Sequence, residues 1–78
     1  MDTTRFLHTL TLTARANLAH VPGSERTAEV RRECARAALQ EAHSTLSQRH
    51  FFAMLDALGG HPAVLEQVEM ALADEPGA

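Results

Sequence analysis

The chain has 78 residues, of which 45% are hydrophobic and 22% are charged, and its formal net charge is −3. A length this short allows a single domain over residues 1–78, and the small core gives a low net stability that association with another chain would raise. The acidic balance excludes a general polyanion binder, which would carry a basic stripe, and no apolar run reaches the roughly eighteen residues that a membrane span requires.

The first segment has two competing interpretations. Residues 8–13 alternate like a strand and are rich in threonine, but few apolar residues share the strand's apolar face. With a helical period, a larger apolar set falls within about 120° of one another: Phe6, Leu7, Leu10, Ala14, Leu18 and Val21. We therefore predict a helix over about residues 3–20, capped by Asp2, Thr3 or Thr4. A strand at residues 9–13 is the alternative.

The longest helical pattern covers residues 25–43, after a Val-Pro-Gly-Ser loop in which Ser24 can cap the helix. Its apolar residues, mostly alanine, spread over roughly 200° of the circumference, about twice the arc that a helix on one surface needs. The pattern predicts a central helix with neighbours on two sides, and alanine allows those neighbours to approach closely.

Two charged residues interrupt this apolar arc. Arg31 lies in its middle and Glu41 lies near Cys34. A charge inside a contact face is costly unless it is paired. Either both side chains reach solvent at the edge, with Arg31 in a frayed first turn, or they form ion pairs across an interface.

The second half of the chain predicts two shorter helices. Thr45 with Gln48 has the capping-box form, so we expect a break and a new helix over about residues 46–58. Gly59 and Gly60 suit its end, and Pro62 suits the first turn of a last helix over about residues 62–73. The C-terminal tail should fray from about Ala73. The prediction is an all-α, three- to four-helix small bundle.

The residues that carry catalytic or metal chemistry do not form a recognisable pattern. The single cysteine, Cys34, cannot form an internal disulfide, and its position among alanines predicts a small buried hydrophobe rather than a nucleophile. The five histidines include no His-x-x-x-His pair, and His43 and His50 are seven residues apart. No catalytic triad or phosphate-binding loop is visible. We therefore expect no enzymatic activity, metal, cofactor or small-molecule substrate.

The cysteine content also bears on the compartment. With no disulfide partner for Cys34 and no signal-peptide pattern at the N-terminus, we expect a cytoplasmic protein. We expect no association with membranes.

A DNA-binding hypothesis depends on the strand alternative. If residues 9–13 were a strand, the order strand, short helix, turn, longer helix would loosely resemble a ribbon-helix-helix dimer, a regulator or antitoxin whose paired strands read the major groove. However, the strand carries no arginine or lysine for phosphate or guanine. Nucleic acid is therefore not the expected partner.

The favoured hypothesis is a small protein–protein interaction module, such as an adaptor, chaperone, inhibitor or regulatory subunit. Its wide alanine face would complete a core with a helical partner or with a second copy in a homodimer. Phe52 is the expected hydrophobic anchor, because aromatic residues dominate binding energetics. The predicted protein-binding residues are Leu12, Arg31, Ala35, Ala38, Glu41, Ala42 and Phe52.

Overall fold

A computed structural model describes residues 2–74 as four α-helices: α1 (Thr3–Leu18), α2 (Ala28–Thr45), α3 (Gln48–Ala57) and α4 (His61–Ala73). The all-α prediction is confirmed. Residues 9–13 lie within α1, so the strand interpretation is wrong, and the described part of the chain contains no strand. The predicted fraying of the tail falls mostly on residues outside the described range.

The N-terminal ends of the helices follow local capping chemistry. The Asp2 carboxylate accepts a hydrogen bond from the Arg5 amide at 2.9 Å, as predicted. The central helix begins later than expected, because Gly23–Glu25 form a short 3-10 turn that includes Ser24. Thr27 caps α2 instead, accepting a hydrogen bond from the Val30 amide at 3.2 Å.

The break between α2 and α3 is confirmed, with a different cap from the predicted one. The Ser47 hydroxyl accepts a hydrogen bond from the His50 amide at 3.2 Å. Thr45 remains in α2, where its hydroxyl donates to the Glu41 carbonyl at 3.1 Å. The capping box proposed for Thr45 is therefore not formed, because that side chain is already bonded one turn back in its own helix.

The connection from α3 to α4 requires two consecutive glycines. Gly59 and Gly60 have φ angles of +101° and +102°, a region that L side chains rarely adopt. The Gly60 amide donates to the Leu55 carbonyl at 2.7 Å, which satisfies a terminal group of α3. Pro62 lies in the first turn of α4, as predicted.

The core lies between α1, α2 and α4, and α3 packs at its side. Among the described residues the buried set contains no polar or charged side chain. It comprises Phe6, Leu10, Ala14, Leu18, Cys34, Ala35, Ala38, Leu39, Phe51, Leu55, Val64, Val68 and Leu72. The central helix α2 contacts both α1 and α4. The wide apolar arc of α2 is thus covered largely by neighbours from its own chain.

Candidate protein-interaction surface

Three large hydrophobic side chains remain exposed among residues 2–74. Leu12 is 50% exposed, Phe52 is 49% exposed and Met70 is 60% exposed. Single exposed apolar residues are common and need no explanation. Phe52 differs from the other two because its ring contacts the rings of His43 and Phe51, and Phe51 is part of the buried core.

These rings form an aromatic cluster of Phe6, His43, Phe51 and Phe52. The Phe52 ring meets the rings of His43 and Phe51 edge to face, each with a centroid separation of 5.5 Å. Phe51 is buried and meets Phe6 of α1 edge to face at 6.2 Å. Edge-to-face contacts at these distances are favourable. Phe52 is therefore an exposed aromatic side chain with a supported orientation.

Phe52 separates two open depressions on the surface. The first lies between α2, α3 and the start of α4, and its polar margin includes Arg36, His43 and His61. The second lies between α3 and the start of α4, and its charged residues are Arg49 and Asp56. We call the area formed by the residues lining both depressions the Phe52 surface.

The Phe52 surface is locally basic on an acidic protein. It carries two arginines, Arg36 and Arg49, against one carboxylate, Asp56, and two histidines. Arg36 makes an exposed ion pair with Glu33 at 3.5 Å, and such pairs contribute little. Arg49 makes no ion pair within residues 2–74. The residues that line the two depressions therefore carry a formal charge of +1, two arginines against one aspartate, which is opposite in sign to the net charge of −3.

Part of the predicted interface instead lines a groove between α1 and α2. Ala38, Glu41 and Ala42 lie along it, on a side of α2 roughly half a turn away from Arg36 and His43. The groove has a volume of about 160 Å³, whereas small-molecule sites usually span about 300–1,000 Å³. Phe52 and this groove thus belong to different surfaces.

Two of the predicted interface alanines must be removed from the candidate site. Ala35 and Ala38 are 0% and 1% exposed, because neighbouring helices of the same chain cover them. Side chains buried in this way cannot contact a partner unless the helices separate. The full alanine arc is therefore not free to contact an external partner.

Arg31 is occupied within its own chain. Its guanidinium donates to the Arg26 carbonyl at 2.8 Å, and the Arg26 guanidinium donates to the Val21 carbonyl at 2.9 Å. Arg31 therefore supports the loop before α2. Leu12 is exposed on α1 and lines neither depression beside Phe52.

The sequence interpretation missed His43 as a neighbour of Phe52. The two residues lie in different helices, and helical periodicity cannot relate side chains across a break. The available signal was the closeness of His43 to the adjacent pair Phe51 and Phe52 on the other side of a short connection. The cross-helix ion pair between Arg32 and Glu69, at 3.3 Å, was also missed, because the two residues are remote in sequence.

The only cysteine lies in a nonreactive environment. Cys34 is buried in α2, and burial together with the nearby Glu33 carboxylate raises the pKa of its thiol. A raised pKa keeps the thiol protonated and lowers its nucleophilicity. Within residues 2–74, no three His, Cys, Asp or Glu side chains are grouped so that they could hold a metal ion.

Comparison with known proteins does not add a functional assignment. No family model, curated protein or solved structure matches the chain. Over the described residues, the helices are too short or too polar to cross a membrane.

Proposed function

We propose that this chain is a small protein–protein interaction module that binds through the Phe52 surface. The observation that carries this proposal is the half-exposed Phe52 ring, whose orientation is supported by His43 and Phe51. Aromatic anchors of this kind dominate the energetics of protein interfaces. The role is that of a binding partner, as in an adaptor, inhibitor or regulatory subunit.

The physical advantage of this arrangement is preorganisation. A side chain that is already ordered loses less conformational entropy when a partner covers it, so more of the burial energy appears as affinity. The depressions on either side of Phe52 can accept partner side chains. The arginines at their margins provide the charged rim that protein interfaces usually have.

The proposal is tested by photo-crosslinking in living cells that express the full chain. A photoreactive amino acid placed at Gln40, an exposed residue beside Phe52, should form an adduct with another polypeptide chain. The adduct should disappear in Phe52→Ala, because truncating an aromatic anchor weakens binding by about 30-fold. Circular dichroism should show unchanged helical content.

A matched control places the same photoreactive residue at Leu12, which is as exposed as Phe52 but lies on α1. This position should give little or no adduct. If Gln40 gives no adduct, or if its adduct persists in a folded Phe52→Ala variant, the Phe52 surface is not the binding site.

A further inference from the structure

The outer face of α4 is acidic, whereas the Phe52 surface is locally basic. Met70 is 60% exposed. Glu66 lies four residues before it on the same face of the helix, and Asp74, four residues after it, is the C-cap residue at which α4 ends. Neither carboxylate makes an ion pair within residues 2–74. α4 contains no arginine or lysine. We call Glu66, Met70 and Asp74 the α4 face.

We propose that the Phe52 surface binds the α4 face of a second copy of this chain. This inference rests on the proposed function and names its partner. Each surface has one large exposed apolar side chain at its centre and charges of one predominant sign around it. The two signs are opposite, which favours this pairing and its orientation.

The chemistry of the two central side chains also suits this contact. Methionine is flexible and adapts to an irregular neighbour, and its sulfur makes favourable contacts with aromatic rings. The Phe52 ring contacts the rings of His43 and Phe51 and has depressions on both sides. When Met70 packs against Phe52, both side chains are buried. Because the Phe52 ring is already supported by its neighbours, the main entropy loss is that of Met70.

The charges disfavour a contact of either surface with itself. Two Phe52 surfaces would bring Arg36 and Arg49 of both copies together, and two α4 faces would bring carboxylates together. The contact therefore joins unlike surfaces. Two copies can satisfy it reciprocally around a two-fold axis, or successive copies can satisfy it head to tail.

The test is sedimentation equilibrium on the purified full chain, from low to high micromolar concentration. The unmutated chain should self-associate, and added salt should weaken the association by screening the charges. Arg49→Glu and Glu66→Arg should each weaken it about 5-fold or more, because each change replaces an attraction by a repulsion. Phe52→Ala should weaken it by about 30-fold.

An equimolar mixture of Arg49→Glu and Glu66→Arg provides the sharper measurement. In the mixture, the intact Phe52 surface of one variant meets the intact α4 face of the other. The charges introduced at positions 49 and 66 are again opposite in sign. Association should therefore return to nearly the unmutated level, although each variant alone associates weakly.

The matched control for Glu66→Arg is Glu41→Arg, which makes the same change in net charge at an exposed carboxylate, on the side of α2 away from the Phe52 surface. It should leave self-association unchanged. Arg49→Glu is expected to fold, because a carboxylate suits the first turn of α3. Should either reversal reduce the helical content, Arg49→Gln or Glu66→Gln takes its place and should weaken association to a smaller extent.

A chain that stays monomeric at high micromolar concentration overturns the inference. So does self-association that Glu66→Arg leaves unchanged, or a mixture that fails to recover. The proposed function can be tested separately from this inference. The crosslink from Gln40 could join a different polypeptide and depend on Phe52 while the purified chain is monomeric. The Phe52 surface would then stand as a binding site, and only the identification of the partner as a second copy would be wrong.

Discussion

The imidazole of His43 lies flat against the ring of Phe51, with centroids 4.6 Å apart and planes inclined by 8°. His43 belongs to α2 and Phe51 to α3, so the stack joins two helices across the break at residues 46–47. Phe52 contacts both members of the stack. The orientation of the exposed ring therefore depends on a contact between two other side chains.

Replacement of His43 tests this dependence. His43→Ala should lower the free energy of unfolding by about 0.5–1.5 kcal/mol, the usual value of an aromatic pair. It should also weaken binding at Phe52, whose support is lost. Urea unfolding measures the first effect and sedimentation the second. His43→Phe, which keeps an aromatic ring, should retain both properties, and equal damage from the two variants would contradict a role for the stack.

The glycine pair between α3 and α4 gives a prediction about backbone conformation. Gly59→Ala and Gly60→Ala should each destabilise the fold by about 1–3 kcal/mol, because both positions have positive φ. Gly59→Ala should cost more. A β-carbon there would lie 3.3 Å from the Ala63 β-carbon, whereas at Gly60 the nearest contact is 3.8 Å, to Pro62. Thermal melts measure both losses of stability, and a larger loss in Gly60→Ala than in Gly59→Ala would contradict the prediction.

His50 offers a stabilising substitution. Its Nε2 atom is buried and has no hydrogen-bond partner within residues 2–74, an arrangement that costs free energy. His50→Leu removes the unsatisfied atom and adds a better helix former, so it should stabilise the fold by about 1 kcal/mol. The melting temperature should rise by about 4–8 °C.

The control for that substitution is His20→Leu. His20 is exposed, and exposed substitutions usually change stability by less than about 0.5 kcal/mol. A melting temperature that rises equally in both variants would attribute the gain to general hydrophobicity rather than to the buried ring nitrogen.

Cys34 should make stability depend on pH at the alkaline end. Its pKa is raised in the folded state, mainly by burial and also by Glu33, so the folded chain holds the thiol proton more tightly than the unfolded chain. The resulting stabilisation is fully present below the pKa of an unfolded thiol, about 8.5. It is lost as pH rises toward the folded pKa, by up to about 1.4 kcal/mol per pH unit.

The composition leaves few other groups that titrate in this pH range. The sequence contains no tyrosine and no lysine, so Cys34 is the only side chain expected to titrate over this range. Urea unfolding of the unmutated chain should show a decline above about pH 8.5. The decline should be absent in Cys34→Ala. An identical pH profile in the two proteins would contradict the assignment to the thiol.

Local patterns predicted the helices well because their causes are local. Asp2, Gly59, Gly60 and Pro62 act through backbone geometry and nearby amides, and the structure has each in the expected role. The start of α2 was predicted less well. Ser24 and Thr27 are both competent caps, and the 3-10 turn that contains Ser24, and so prevents it from capping α2, depends on the whole loop.

The candidate site was predicted only in part, because it depends on packing between helices. Phe52 was identified by its position off the apolar face of its helix, and it is indeed exposed. The alanine arc of α2 was predicted to contact an external partner, but periodicity gives the width of an apolar face and not the chain that covers it. Ala35 and Ala38 are covered by the same chain, and the basic margin around Phe52 comes from three helices.

The contact of Phe52 with both His43 and Phe51 links occupancy of the surface to the integrity of the fold. A ligand seated there would touch both sides of the junction between α2 and α3, and by mass action anything that prefers the folded chain increases the folded population. Dilution alone would then lower the melting temperature. In a cell, chains with an unbound Phe52 surface would unfold more often and be degraded sooner by proteases. The abundance of the protein would therefore depend on the concentration of the second chain.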